Sequence, residues 1–459
     1  MAKRLTILFL PIGAAGHMNA SIGMSEPLIG AGHRVVFATE DRFKTLLEPF
    51  GIEVAVMAGD EHHHDKYHNQ HNTHNHHDHH DHHGGGGDGH EGDSAAKRNA
   101  LRMLSLGMYE EMSPIERERT VSAHLGRRVD QQIALDRNVE PVIKQINPDL
   151  IVMDQHFAIP YVEACGIPYV WVQSSNPLVL TDDERTPPAY SGLSVASDKS
   201  EWKRYRQQRA DIQNQNREAW SRLNDYTVSR GCAPISPNFI YESNVSQCLC
   251  VYGYPQELDY LDVRPLPPNF IRFDNLKRND KHSTFELPDV LKQKSDEKLI
   301  YFSLGSMGAA NVDNMKRLVA ILGKSRHRFI VSKGPLHDTY TLADNMWGEE
   351  TVPQIQVLPL VDLVITHGGN NSVTETMYFG KPMVVLPIHF DQLDNGQQIQ
   401  HKGLGITLDF FRCTEEELLG AVDRLLTDKA LKEKLAQIGE RIRTENSLSK
   451  VPEIFEDFI

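Results

Sequence analysis

Residues 367–392 read HGGNNSVTETMYFGKPMVVLPIHFDQ, and the residue types at the start of this stretch are those of an anion site. An apolar run, DLVIT, ends at Thr366, a turn carrying Gly368 and Gly369 follows, and a helical segment opens near Ser372. Backbone N–H groups at a helix start lack partners within the helix and carry partial positive charge, and glycines let a phosphate approach the main chain. His367 and Ser372 add side-chain donors. Glu375, one turn further on, is placed to accept from hydroxyls such as those of a ribose. A plainer reading stands beside this one, because Ser372 and Glu375 also form an S-x-x-E capping box that would stabilise a helix with no ligand. The next element favours the ligand: PMVVLP is strand-like, and just beyond it Asp391 and Gln392 supply a carboxylate and an amide suited to sugar hydroxyls.

Such groups work only if strands carry them to one edge. Strand-like runs at 298–303, 329–332, 362–366 and 383–386 alternate with helical segments at 312–322 and 372–379, and Thr414 with Glu417 opens a later helix as a capping box. The first half alternates in the same way, with strands at 5–10, 35–39, 52–57 and 149–154 and helices at 19–31 and 41–50. This pattern predicts an α/β protein of two Rossmann-like, doubly wound domains facing a cleft, since parallel sheets gather ligands at the carboxyl ends of their strands. The first domain is expected over 1–280 and the second over 281–440, with a terminal helix in 441–459 packing back on the first. Residues 174–230, polar and containing Trp and Arg, suit helices and loops lining the cleft. His17, directly after Gly16 in the PIGAAGH turn, and Asp154, closing DLIVMD, both fall at strand ends of the first sheet.

A chain of 459 residues exceeds one ordinary core, which fits two domains. The formal charge of −14 argues against a nucleic acid or an anionic membrane surface as partner. Five cysteines form no disulfide framework and suit a reducing compartment. Lys3 and Arg4 followed by apolar residues imitate a secretory signal, but the run stops at Pro11 and reads as a first buried strand. No stretch approaches the ~20 apolar residues of a membrane span, so a cytoplasmic, unanchored protein is expected.

Residues 61–93 break the pattern. Thirteen of the chain's 23 histidines crowd there with almost no apolar residue, which predicts a disordered surface insertion. Imidazole is a common ligand for Zn, Cu and Ni, so adventitious metal ions are expected partners of this loop, and a metal-binding or metal-buffering protein is one alternative function.

In HGGNNSVTE, GKPMVVLP and DQLDN the sequence resembles the UDP-glycosyltransferases of the GT-B fold. Over about thirty residues the match is specific. It continues more loosely through GAAGH, DLIVMD, FSLGSM and VPQ at 352–354. The resemblance implies that His367 and Ser372 hold the diphosphate of a UDP-sugar within the Gly368, Gly369 and Asn371 turn, with Ser306 adding a phosphate contact. It further implies Glu375 on the ribose, Gln354 on the uracil edge, and Asp391 with Gln392 on the transferred sugar. His17 would be the general base, oriented by Asp154, in a one-step inverting transfer of a hexose to a hydroxyl of a small lipophilic acceptor. No metal or other cofactor is required by that chemistry, and Gln392 leans the donor towards UDP-glucose. Two positions depart from the family pattern, which carries an aromatic where this chain has Thr351 and another where it has His389; Trp347 lies near the first. They leave room for a second alternative, a nucleotide-sugar binder without catalysis.

Overall fold

The computed structural model describes residues 4–57, 95–235, 248–280, 283–292 and 296–459. The histidine-rich insertion at 61–93, with its expected disorder and metal binding, lies outside the described residues.

Seven strands build the first sheet: β1 (Thr6–Pro11), β2 (Arg34–Thr39), β3 (Glu53–Val56), β4 (Leu150–Asp154), β5 (Tyr169–Gln173), β6 (Leu249–Gly253) and β7 (Phe270–Phe273). Their order is β3-β2-β1-β4-β5-β6-β7, with every neighbouring pair parallel. A sheet covered on both faces needs strands apolar on both sides. Along β1 the side chains alternate accordingly, Ile7 and Phe9 joining one core cluster while Leu8 and Leu10 join the other.

The second sheet contains β8 (Leu299–Ser303), β9 (Arg328–Ser332), β10 (Met346–Glu349), β11 (Leu363–Thr366), β12 (Met383–Val385) and β13 (Gly405–Thr407), in the order β10-β9-β8-β11-β12-β13, again parallel throughout. Each sheet therefore has a topological switch point, between β1 and β4 in one and between β8 and β11 in the other, and such points open a crevice at the carboxyl ends of the strands.

The chain returns to the first domain at its end. Helix Lys429–Glu445 belongs to the second core through Leu435, so the second domain runs past residue 440. Helix Val451–Phe458 then buries Val451 and Phe455, one helical turn apart, beside Ile7 and Phe9. Burial of each such side chain is worth about 1.5–3 kcal/mol. Arg441 ties the crossing down, reaching Glu257 at 2.8 Å and Asp274 at 2.9 Å.

Helix boundaries differ from the sequence pattern in three places. The first helix spans Ala15–Gly30 and so starts before residue 19. The segment 41–50 is broken into Asp41–Phe43, Lys44–Leu47 and Glu48–Phe50. The helix after β11 covers Asn370–Tyr378 rather than opening at Ser372. Among the described residues, no helix is long and apolar enough to cross a membrane.

Candidate active site

The first switch point assembles a histidine, a carboxylate and a hydroxyl. Parallel pairing of β1 with β4 sets Pro11 opposite Asp154, and the chain leaving β1 turns into helix Ala15–Gly30 with His17 in its first turn. Nδ1 of His17 lies 3.0 Å from both carboxylate oxygens of Asp154. Ser174, directly after β5, donates to Oδ2 of Asp154 at 3.0 Å and sits 3.0 Å from the same Nδ1. An ionised carboxylate can only accept, so the imidazole N–H is on Nδ1 and the lone pair is on Nε2. The His17 side chain keeps 24% of its surface exposed, against 5% for Asp154. Burial depresses the His17 pKa, but attraction to Asp154, the hydrogen bond to it and the charge of Asp391 more than offset this, leaving it raised. Edge-on to the His17 ring stands His156, with centroids 5.7 Å apart. Burial first, then the positive charges of Arg128 and His17, hold His156 well below the usual histidine range.

The second switch point faces the first. There β8 pairs with β11 so that Ser303 lies opposite Thr366, and His367 follows immediately. Its ring fills the space between two glycines: a Cβ on Gly305 would come within 2.9 Å of the imidazole, and one on Gly369 within 2.5 Å. Gly368, at φ 83°, makes the left-handed step between them. Burial lowers the pKa of His367 to about 4, so it is a neutral donor or acceptor at physiological pH. Ser306 lies in the short helix Gly305–Gly308 that follows β8.

The capping-box reading of Ser372 and Glu375 does not hold. The N-cap is Gly369, no side chain caps the helix, and the first intrahelical bond runs from Val373 N to Gly369 O at 3.0 Å. Glu375 instead turns inward, buried, and accepts a hydrogen bond from Gln354 Nε2. Burial raises its pKa, while Gln354, Arg278 and Lys277 pull it down. The two residues expected on ribose and uracil are thus in direct contact. Trp347, near the place of the missing aromatic, packs its ring against Phe285 at 5.7 Å. Asn371 reaches across the cleft, its Nδ2 donating to Gly16 O at 2.7 Å, one residue before His17.

Asp391 and Gln392 separate. The Asp391 carboxyl faces the first domain; burial pushes its pKa up to about 6, against the charge of His17 and hydrogen bonds from the Asn370 N–H and the Ser175 hydroxyl. Gln392 is turned away from it. Its Oε1 accepts from Ile388 N at 3.0 Å and His389 N at 3.3 Å, and its Nε2 meets His389 Nδ1 at 3.3 Å. Of the pair expected to hold the sugar together, this arrangement presents the carboxylate and engages the amide in the local turn.

Sequence reasoning missed Ser174, Ser175 and His156. All three follow strand ends of the first sheet, which was the available signal, but hydroxyls and a second histidine carry no spacing of their own. It also missed the seam between domains. Asn395 Oδ1 accepts from Asn176 Nδ2 at 2.8 Å and from the Tyr254 hydroxyl at 2.9 Å, and Asp394 accepts from Gly192 N at 2.9 Å. Among the described residues, no three His, Cys, Asp or Glu side chains are grouped to hold a metal ion.

Residues 254–444 match the family model described as UDP-glucoronosyl and UDP-glucosyl transferase. Over these residues the chain is similar to the UDP-glycosyltransferases. Human UDP-glucuronosyltransferase 1A6 is 30% identical to it over 181 residues, covering 38% of this chain and 34% of that protein. Human UDP-glucuronosyltransferase 1A4 is 29% identical over 185 residues, 39% of this chain and 34% of the relative. The chain thus matches about a third of the length of these relatives, over a stretch of comparable size to the family match. Similarity of fold extends further. The glycotransferase of kitacinnamycin superposes with a TM-score of 0.68 at 16% identity over 100% of both chains. A spinosyn rhamnosyltransferase complexed with thymidine diphosphate gives 0.61 at 15% identity over 99% of this chain and 100% of that one. The protein has the two-domain α/β architecture of GT-B glycosyltransferases.

Proposed function

We propose that the protein transfers a hexose from a UDP-sugar to a hydroxyl of a small lipophilic acceptor, with inversion at the anomeric carbon and His17 as general base. The observation that carries this reading is the hydrogen bond of His17 Nδ1 to Asp154, which leaves Nε2 free to take a proton in a cleft that Asp391 faces from the other domain. The acceptor oxygen attacks the anomeric carbon, its proton passes to Nε2, and the bond from that carbon to the diphosphate oxygen breaks with its electron pair leaving on UDP. Asp154 and Ser174 fix the ring and stabilise the imidazolium that forms.

In this reading the diphosphate is received by His367, Ser372 and the first N–H groups of helix Asn370–Tyr378, with Ser306 and the Gly368–Gly369 turn beside it and Glu375 with Gln354 on the nucleoside. Asn371 exchanges its contact with Gly16 for the donor as the site fills. No metal is required, since the departing charge is met by these groups. A neutral hexose such as glucose is preferred over a hexuronate, because a second carboxylate beside Asp391 would meet like charge as both ionise. A cytoplasmic site of action fits the five free thiols.

The test is UDP release from UDP-glucose, UDP-galactose and UDP-glucuronate with a set of phenols and alcohols, in the presence and absence of EDTA. The reading predicts acceptor-dependent release, fastest with UDP-glucose and insensitive to EDTA. Absence of release with every donor would leave a nucleotide-sugar binder instead.

A further inference from the structure

The turn that leaves β5 touches three parts of the cleft with three consecutive side chains. Ser174 donates to Asp154 beside His17 at 3.0 Å, the Ser175 hydroxyl bonds to Asp391 of the second domain, and Asn176 enters the seam between the domains, where it has no exposed surface. Both ends of the Asn176 amide are committed. Its Oδ1 accepts from Leu178 N at 2.9 Å and so caps the short helix Pro177–Val179, while its Nδ2 donates to Asn395 Oδ1 at 2.8 Å.

Asn395 is equally buried. Besides the bond from Asn176 it accepts one from the Tyr254 hydroxyl at 2.9 Å, and its own Nδ2 donates to the Gly368 carbonyl at 2.8 Å. Gly368 stands at φ 83°, and without a side chain its flanking peptides turn easily. On one side Gly368 N is held by Thr366 Oγ1 at 3.2 Å; on the other, Asn395 holds the carbonyl. The peptide that carries this carbonyl also carries the Gly369 N–H, and in a planar trans peptide the two point in opposite directions. Fixing the Gly368 carbonyl therefore fixes the direction of the Gly369 N–H in the turn between His367 and helix Asn370–Tyr378.

We propose that Asn176 and Asn395 are positioning residues for the donor: Asn395 sets the Gly368 peptide to receive the diphosphate, and Asn176, from the other domain, sets Asn395. The first domain thereby strengthens the grip on UDP without touching it, through the same three-residue turn that steadies the partner of His17. This inference rests on the placing of the diphosphate at the His367 turn in the transferase reading above.

Titration of the full chain with UDP and with uridine separates positioning from general support, since only UDP carries the diphosphate. Asn176→Ser keeps a good cap for Leu178 N but is too short to reach Asn395. It should weaken UDP about fivefold, the loss of roughly one hydrogen bond, and leave uridine within about twofold of the wild type. Asn395→Ala should weaken UDP by about tenfold with the same selectivity, and adding Asn176→Ser to it should cost nothing further, because Asn176 acts through Asn395. Tyr254→Phe loosens Asn395 by one hydroxyl while keeping the buried ring, so it reads the same selective loss of UDP if Asn395→Ala melts too low to titrate. UDP affinity unchanged in Asn176→Ser, equal weakening of UDP and uridine, or additive losses in the double variant would overturn the proposal. None of these titrations requires turnover: a wild type that binds UDP and shows these losses but transfers no sugar would sink the transferase reading and leave the positioning role standing.

Discussion

Nδ1 of His17 sits 3.0 Å from each carboxylate oxygen of Asp154, two residues brought together from the helix that follows β1 and from the end of β4, at the switch point of the first sheet. The contact does two things at once. It fixes the tautomer that leaves Nε2 as a base, and it raises the affinity of the ring for a proton.

Asp154→Asn separates these effects. Losing the anion should lower activity about 10²-fold. A base must be neutral to act, so the wild-type rate should fall as pH drops through the raised His17 pKa, with a midpoint above 6.5. In Asp154→Asn that acid limb should move to lower pH. A limb that stays in place in a kcat/KM profile would detach it from His17.

Asp391 is predicted to trade stability for function. Its folded pKa of about 6 lies above the ordinary 3.8, so the folded state binds the extra proton and stability is lost as pH rises between those values. Asp391→Asn should therefore melt about 2–6 °C higher than the wild type at pH 7.5, an advantage that vanishes below pH 4. Transfer should fall steeply in the same variant. Thermal melts at the two pH values, beside a UDP-release assay, read both effects.

Glu375→Ala should weaken UDP by about 10- to 100-fold, the loss of one or two hydrogen bonds to a charged acceptor. Gln354→Ala should weaken it less, and the two losses should not add, because the side chains are already bonded to each other. Isothermal titration with UDP measures this; additive losses would mean independent roles.

Much of the fold is visible in the sequence because buried parallel strands read as unbroken apolar runs, as in LIVMD of β4 and LIYFS of β8. Strand β13 is only three residues, GIT, too short to leave a pattern. The start of helix Asn370–Tyr378 was misplaced because its N-cap is Gly369, which has no side chain to signal a cap, while Ser372 and Glu375 imitate a capping box. His17, Asp154, His367 and Glu375 were legible as chemistry at strand ends and helix starts. Gln392 was legible as a residue but not as an orientation, since its direction is set by the strained turn at Phe390. Asp394 and Asn395 are letters of the DQLDN motif, yet their partners Gly192 and Asn176 lie about two hundred residues away in the other domain, where local pattern cannot reach.

Deleting residues 61–93 tests the alternative carried by the histidine-rich insertion. Zinc titration should show metal binding lost with the segment, while UDP release and melting temperature stay within error of the full chain. A fall in transfer would make the insertion part of the enzyme.

The most direct measurement is UDP release by the wild type and by His17→Ala, paired with UDP titration of both. Removal of a general base should lower transfer by about 10²- to 10⁴-fold while UDP affinity remains within a few-fold of the wild type. Transfer by His17→Ala at the wild-type rate would contradict the account and send the base elsewhere in the cleft.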